Sequence, residues 1–253
     1  MRKGIIYFHQ GWTDIINCLP LVKYYLDSYD KIVLVVRSDA KEMIEYYCND
    51  VLEQIEFLYV DKKVLDINSI LQILPDYYRD KHDYLFHGQH DVFRKDNYVN
   101  SFANSNGMRH FVTNFYEAYS IPAEVRFKFN TFRRDTVLEE TEYKDFFLQK
   151  SEIDYSLSHT PKYWNNKLDV SGEVYSLDDS TNNPFSFIKI LCNSRELHLV
   201  DSMWASMLYN LENTTPVLQD TKIFLYPHNY SGGILDSNNY KTIKMPKNWS
   251  IIR

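Results

Sequence analysis

Asp14 is the residue of this chain best placed, by type and surroundings, to do chemistry. It closes the stretch Gly4-Ile5-Ile6-Tyr7-Phe8-His9-Gln10-Gly11-Trp12-Thr13-Asp14. A short apolar run ending in a Gly-x-Thr-Asp turn reads as a buried strand feeding a helix, with Ile15, Leu19, Val22 and Leu26 on one helical face. Ligands of open parallel sheets sit beyond the carboxyl ends of the strands, which puts His9, Gln10, Gly11, Trp12, Thr13 and Asp14 where a substrate binds. A carboxylate there can take a proton from a bound hydroxyl, a general-base role worth about 10²- to 10⁴-fold in rate. The competing reading makes Thr13 or Asp14 only the cap of the helix. His87, at the end of a later predicted strand, completes the substrate-binding set.

A second constellation lies in Glu196-Leu197-His198-Leu199-Val200-Asp201-Ser202-Met203-Trp204. A strand that ends in Asp-Ser and turns into a helix presents a hydroxyl and free backbone N–H groups at the helix N-terminus, a phosphate site. Asp201, Ser202 and Met203 are therefore candidate nucleotide contacts. The competing reading makes Asp201 an ordinary cap and Met203, Trp204, Met207, Leu208 and Leu211 core. A third constellation is Ser158-His159-Thr160-Pro161-Lys162-Tyr163-Trp164, in which Lys162 supplies positive charge to a diphosphate leaving group and His159 donates to it, with Ser158 beside them.

Elements that would position these residues alternate along the chain. The first half reads as strands at Lys31 to Val36, Ile55 to Val60 and Tyr84 to His87, separated by helices at Ala40 to Cys48 and Ile67 to Leu74. Residues 88 to 109 read as irregular, and His110 to Tyr119 as a short amphipathic helix stopped by Ile121-Pro122. Residues 123 to 150, with Arg126, Lys128, Arg133 and Arg134 and then an acidic helical stretch from Thr136 to Gln149, read as a linker. Alternation resumes with strands at Ile153 to Ser158, Glu173 to Leu177, Glu196 to Val200 and Ile223 to Tyr226, and helices at Pro184 to Cys192 and Ser202 to Leu211. Strands separated by helices mean βαβ crossovers and parallel sheets. The expected fold is α/β, with two Rossmann-like parallel-sheet domains, 1–130 and 131–253, facing a cleft.

Composition narrows the partners. At 253 residues the chain has ample core, and its net charge of -6 with no basic arm argues against nucleic acid. Three scattered cysteines with no Cys-x-x-Cys pair speak against a disulfide framework or a thiolate zinc site and fit a reducing, cytoplasmic setting. No run approaches the ~20 apolar residues of a membrane span. The 21 Tyr and 15 Phe suit sugar stacking, although A/T-rich codon usage is the favoured account of them. Neither Gly-x-Gly-x-x-Gly nor Gly-x-x-x-x-Gly-Lys occurs among seven glycines, so no NAD or P-loop cofactor is expected. Asp-x-Asp is missing too, which predicts chemistry without a bound metal.

Thr13-Asp14-Ile15-Ile16-Asn17-Cys18-Leu19-Pro20 resembles the first loop of bacterial heptosyltransferases, glycosyltransferases of the two-Rossmann-domain GT-B type, with Thr13 where they have Gly. The resemblance implies that Asp14 deprotonates an acceptor hydroxyl. Lys162-Tyr163-Trp164 resembles the family's Lys-x-Trp, whose Lys contacts the donor diphosphate. Asp201-Ser202 resembles its Asp-Thr/Ser-Gly turn, with Met203 in place of Gly and Ser206 where a His stands. The second half also resembles fucosyltransferase-type GT-B proteins of microbes and large viruses.

Together these residues predict a metal-independent, inverting glycosyltransferase. It would take a nucleotide-sugar donor on the C-terminal half and a glycan or other hydroxyl acceptor on the N-terminal half, with Asp14 as base. A retaining enzyme is the alternative within that class. A noncatalytic nucleotide-sugar or glycan-binding protein of the same fold is the alternative outside it, since fold does not fix function.

Overall fold

The computed structural model describes residues 2–8, 11–61, 72, 74, 83–87, 116, 120–122, 124–159, 170, 172–178, 181–200, 202–214, 218, 220–226 and 246–252. The predicted helix at 67–74, the irregular stretch at 88–109 and the predicted helix at 110–119 fall almost wholly outside these residues. The chain divides into two compact units, Met1–Arg133 and Arg134–Arg253.

In the first unit, β1 (Lys3–Phe8), β2 (Lys31–Arg37), β3 (Ile55–Val60) and β4 (Asp83–His87) form a parallel sheet in the order β3-β2-β1-β4. Continuous apolar runs such as Ile5-Ile6-Tyr7-Phe8 and Ile32-Val33-Leu34-Val35-Val36 are what a parallel sheet buried on both faces requires, and all nine side chains are at most 1 % exposed. Gly4 is fixed by crowding, because a Cβ there would meet the Tyr29 ring at 3.1 Å and Leu85 at 3.3 Å.

Helix α1 (Trp12–Leu26) follows β1, and α2 (Lys41–Tyr47), entered through a 3-10 turn at Ser38–Ala40, follows β2. The single apolar face expected of α1 is corrected here, since Asp14 through Lys23 are all buried. One side meets the sheet, and another meets α3 (Val125–Lys128). Polar members of that run are compensated: Asn17 Nδ2 donates to the Thr13 carbonyl at 2.9 Å, and Lys23 Nζ donates to Asp50 and to the Thr131 carbonyl. Part of the stretch read as linker therefore belongs to the first unit's core, including Arg126, which is only 8 % exposed.

The second unit opens with α4 (Thr136–Phe147), capped by Asp135, whose Oδ1 accepts from the Val137 and Leu138 N–H groups at 3.1 and 3.0 Å. Its sheet joins β5 (Tyr155–His159), β6 (Glu173–Ser176), β7 (Glu196–Val200), β8 (Lys222–Tyr226) and β9 (Trp249–Ile251) in the order β6-β5-β7-β8-β9, all parallel. β5 starts two residues later than its sequence suggests, because Asp154 adopts a φ of 52° and Ile153 is 80 % exposed. The helix expected from Pro184 begins as a 3-10 turn, Pro184–Phe187, capped by Asn183, and becomes α5 (Ile188–Cys192). β9 has no counterpart in the sequence reading.

Strand register puts Tyr155, Leu157, Leu197, Leu199, Ile223, Leu225 and Trp249 on one face of this sheet. The helices cover that face. Phe147 of α4 packs on Tyr155 at 4.7 Å between ring centroids, the Tyr155 hydroxyl donates to the Ile190 carbonyl of α5 at 2.6 Å, and Tyr209 of α6 (Met203–Thr214) meets Trp249 at 6.1 Å. Met203, Trp204, Met207, Leu208 and Leu211 are all at most 5 % exposed, as the core reading of α6 expected.

Candidate functional site

Each sheet has one place where neighbouring strands are followed by connections that run in opposite directions, and there a crevice opens at the carboxyl edge. In the first sheet this place lies between β1 and β4, since β2 and β3 extend to one side of β1 while β4 adds to the other. The register pairs Phe8 with His87, the last residues of both strands. Phe8 and the His87 backbone therefore end side by side at this edge of the sheet, where α1 begins after Gly11. His9 and Gln10 lie outside the described residues.

Gly11 is the N-cap of α1, with its carbonyl accepting from Ile15 N at 2.9 Å and no side chain serving as cap. Neither Thr13 nor Asp14 occupies the N-cap position itself. Asp14 sits in the first turn and is 8 % exposed. A carboxylate there is favoured by the positive end of the helix dipole, by about 0.3–1 kcal/mol. One turn further on, burial pushes the Cys18 thiol well above its ordinary range; the Asp14 charge adds to the rise and the Arg126 charge opposes it. A carboxylate and a guanidinium thus act on one buried sulfur. Sequence reasoning missed Arg126 because a lone Arg between apolar residues looks like a surface charge.

Trp12, the first residue of α1, carries the Arg37 guanidinium 5.2 Å from its ring centroid. Arg37 ends β2 and is held in place by a two-pronged ion pair with Asp39. Arg37 and Asp39 were not singled out in the sequence. Their only signal was a charged pair directly after an apolar strand.

The second sheet changes direction between β5 and β7. His159, the last residue of β5, pairs with Leu199, and Val200 ends β7 immediately before the turn into α6. Ser202 caps α6 through its carbonyl, which accepts from Ser206 N at 2.9 Å, while its Oγ is buried without a hydrogen-bond partner among the described residues. Ser158 and His159 are 7 % and 8 % exposed. Ser158, His159 and Ser202 thus gather at one edge of the second sheet. Met203 is buried among core residues, leaving its backbone N–H as the group that can face a ligand. Lys162 and Asp201 lie outside the described residues. Among the described residues no cluster of three or more His, Cys, Asp or Glu side chains could hold a metal ion, and no helix is long and apolar enough to cross a membrane.

His198, in the middle of β7, is spoken for. Its Nδ1 is 2.9 Å from the Tyr226 hydroxyl, its Nε2 is 3.4 Å from Glu196, and its ring stacks on Phe224 at 4.8 Å. Burial lowers its pKa, with Glu196 opposing. A folded-state value below the unfolded one of about 6.5 means that the neutral ring's contribution is complete above that pH and is lost as pH falls from there toward the lowered value. The expected result is a melting temperature that drops between pH 7 and pH 5, with a smaller drop in His198→Phe, followed by circular dichroism. Equal drops would show that His198 contributes nothing to acid sensitivity.

The chain is thus built from two successive α/β units, each around a parallel sheet. The chain is similar to the crystal structure of a glycosyl transferase family 9 protein from Veillonella parvula, with a TM-score of 0.55 over 99% of this chain and 86% of that one, at 9% sequence identity. At that identity the likeness is one of fold. No protein-family model matches the chain, and no curated protein matches it.

Proposed function

We propose that the protein is a glycosyltransferase that moves a sugar from a nucleotide-sugar donor to a hydroxyl acceptor, without a metal ion and with inversion. The observation that carries this reading is Asp14: a buried carboxylate in the first turn of α1, at the carboxyl edge of the first sheet. Asp14 takes the proton of the acceptor hydroxyl as its oxygen attacks the anomeric carbon, and the bond from that carbon to the diphosphate breaks. Gly11, Trp12, Thr13 and the His87 strand end border the acceptor, as do His9 and Gln10 by their place in the sequence.

The leaving nucleoside diphosphate belongs to the second unit. The N-terminus of α6 offers about half a positive charge together with unpaired N–H groups, Ser202 adds a hydroxyl, and His159 a ring donor. Lys162 supplies the full charge, by its resemblance to the Lys-x-Trp of heptosyltransferases. The likeness in fold to a glycosyl transferase family 9 protein supports the reading as a glycosyltransferase.

A thermal-shift series with UDP, GDP, ADP and CMP tests the donor half. A nucleotide present at 100 times its dissociation constant stabilises the folded state by about 2.7 kcal/mol, so one member of the panel should raise the melting temperature clearly above the others. The nucleotide-sugar so identified is then followed for nucleoside diphosphate release with and without EDTA, where equal rates are expected. Loss of release that manganese or magnesium restores would overturn the metal-free mechanism, and a flat panel would remove the donor site.

A further inference from the structure

Trp12 is the half-buried member of the three described tryptophans; Trp204 and Trp249 are 0 % and 7 % exposed. Trp is mostly buried on average, so an indole left partly open at the first residue of α1 has ring surface to offer a ligand. β1 and β2 run side by side, with Tyr7 paired to Val35. Arg37, the last residue of β2, thereby reaches the indole, its guanidinium carbon 5.2 Å from the ring centroid.

The guanidinium is itself held. Its Nε and Nη2 donate to the two carboxylate oxygens of Asp39, the second bond 2.6 Å long, and Asp39 lies in the 3-10 turn whose last residue, Ala40, is fully buried. A two-pronged pair fixes the plane of the guanidinium as well as its place, and a fixed plane against an indole steadies the indole. The Arg37 side chain is only 13 % exposed, which strengthens a contact between cation and ring.

We propose that Arg37, clamped by Asp39, is a positioning residue for Trp12, and that the indole so held is the platform on which a sugar ring of the acceptor lies. Carbon-bound hydrogens make one face of a pyranose apolar, and that face packs on an aromatic ring while the hydroxyls stay at its rim. Residues two apart leave a helix on opposite sides, so Trp12 does not touch the atoms that react at Asp14. Its contribution is to binding. The transferase reading is needed only for calling the bound sugar an acceptor.

Fluorine NMR of protein labelled with 5-fluorotryptophan tests the proposal, the Trp12 resonance being the one missing from Trp12→Phe. The probes are methyl β-glucoside, methyl β-galactoside and methyl α-mannoside, with glycerol as a hydroxyl compound that has no ring. At least one glycoside should shift the Trp12 resonance saturably, and glycerol should not. Arg37→Met and Asp39→Asn should each weaken that titration about 2- to 5-fold, the worth of one contact between a cation and a ring. In transfer assays the same two variants should raise the acceptor KM by that factor with kcat unchanged, the split left by a lost binding contact, whereas a merely structural role would leave KM as it was. A Trp12 resonance that no glycoside moves, one that glycerol moves equally, or titrations unaltered by both substitutions would overturn the proposal. Saturable shifts in a protein that transfers no sugar would keep the platform and end the transferase reading; transfer with an acceptor KM indifferent to Arg37 and Asp39 would do the reverse.

Discussion

Asp14→Asn is expected to lower sugar transfer at least ~10²-fold, the loss typical of a removed general base, while the protein folds and binds nucleoside diphosphate as before. The amide is nearly the same size and fills the same buried place at the start of α1, so packing around Ile15 and Cys18 is kept. What changes is the charge. Loss of its interaction with the helix dipole costs only about 0.3–1 kcal/mol, a small shift in melting temperature. Nucleotide affinity is untouched because the diphosphate is assigned to the second unit. The measurement pairs nucleoside diphosphate release with a binding titration on the same preparation. A variant that keeps most of its activity would make Asp14 a structural residue and end the mechanism proposed for it.

Trp204→Ala should cost about 3–5 kcal/mol in the second unit, read as a lower urea midpoint, since truncating a buried aromatic loses both its transfer energy and its packing. Trp204 is fully buried in α6 and meets Phe187 edge-on at 5.5 Å between ring centroids. Its indole Nε1 has no hydrogen-bond partner among the described residues. Trp204→Phe therefore removes an uncompensated donor along with part of the ring, and a much smaller loss is expected. The two substitutions together separate packing from polarity. A loss below ~1 kcal/mol for the alanine variant would mean that α6 is not a keystone of the second core.

Much of the architecture was legible because parallel strands announce themselves locally. Runs such as Ile5 to Phe8 and Ile32 to Val36 are apolar without alternation, and the helical stretches between the strands imply crossovers. Turn chemistry was legible as well: Pro184 opens its helix, and the boundary after Val200 falls where Asp-Ser predicts. Where the sequence reading went astray, the deciding contact was distant. Arg126 and Phe132 looked like linker because their partners on α1 and α2 lie far away along the chain. The burial of Asn17 and Lys23 within α1 could not be inferred from polar side chains whose compensating groups, the Thr13 carbonyl and Asp50, become visible only in the folded unit. β9 escaped notice because Trp249-Ser250-Ile251 is too short to carry a pattern.

The sequence by itself determined most of the described strands and the helices that follow them, since hydrophobic period and turn residues are properties of neighbours. Strand order is not such a property. Only the tertiary structure decided that β4 adds beside β1, bringing His87 next to Phe8 at the strand end that precedes Asp14. Only it paired His159 with Leu199, ahead of the turn that ends in Ser202. Pairing of this kind is settled by burying both faces of each strand at once, a condition on the whole sheet that no single stretch of chain contains.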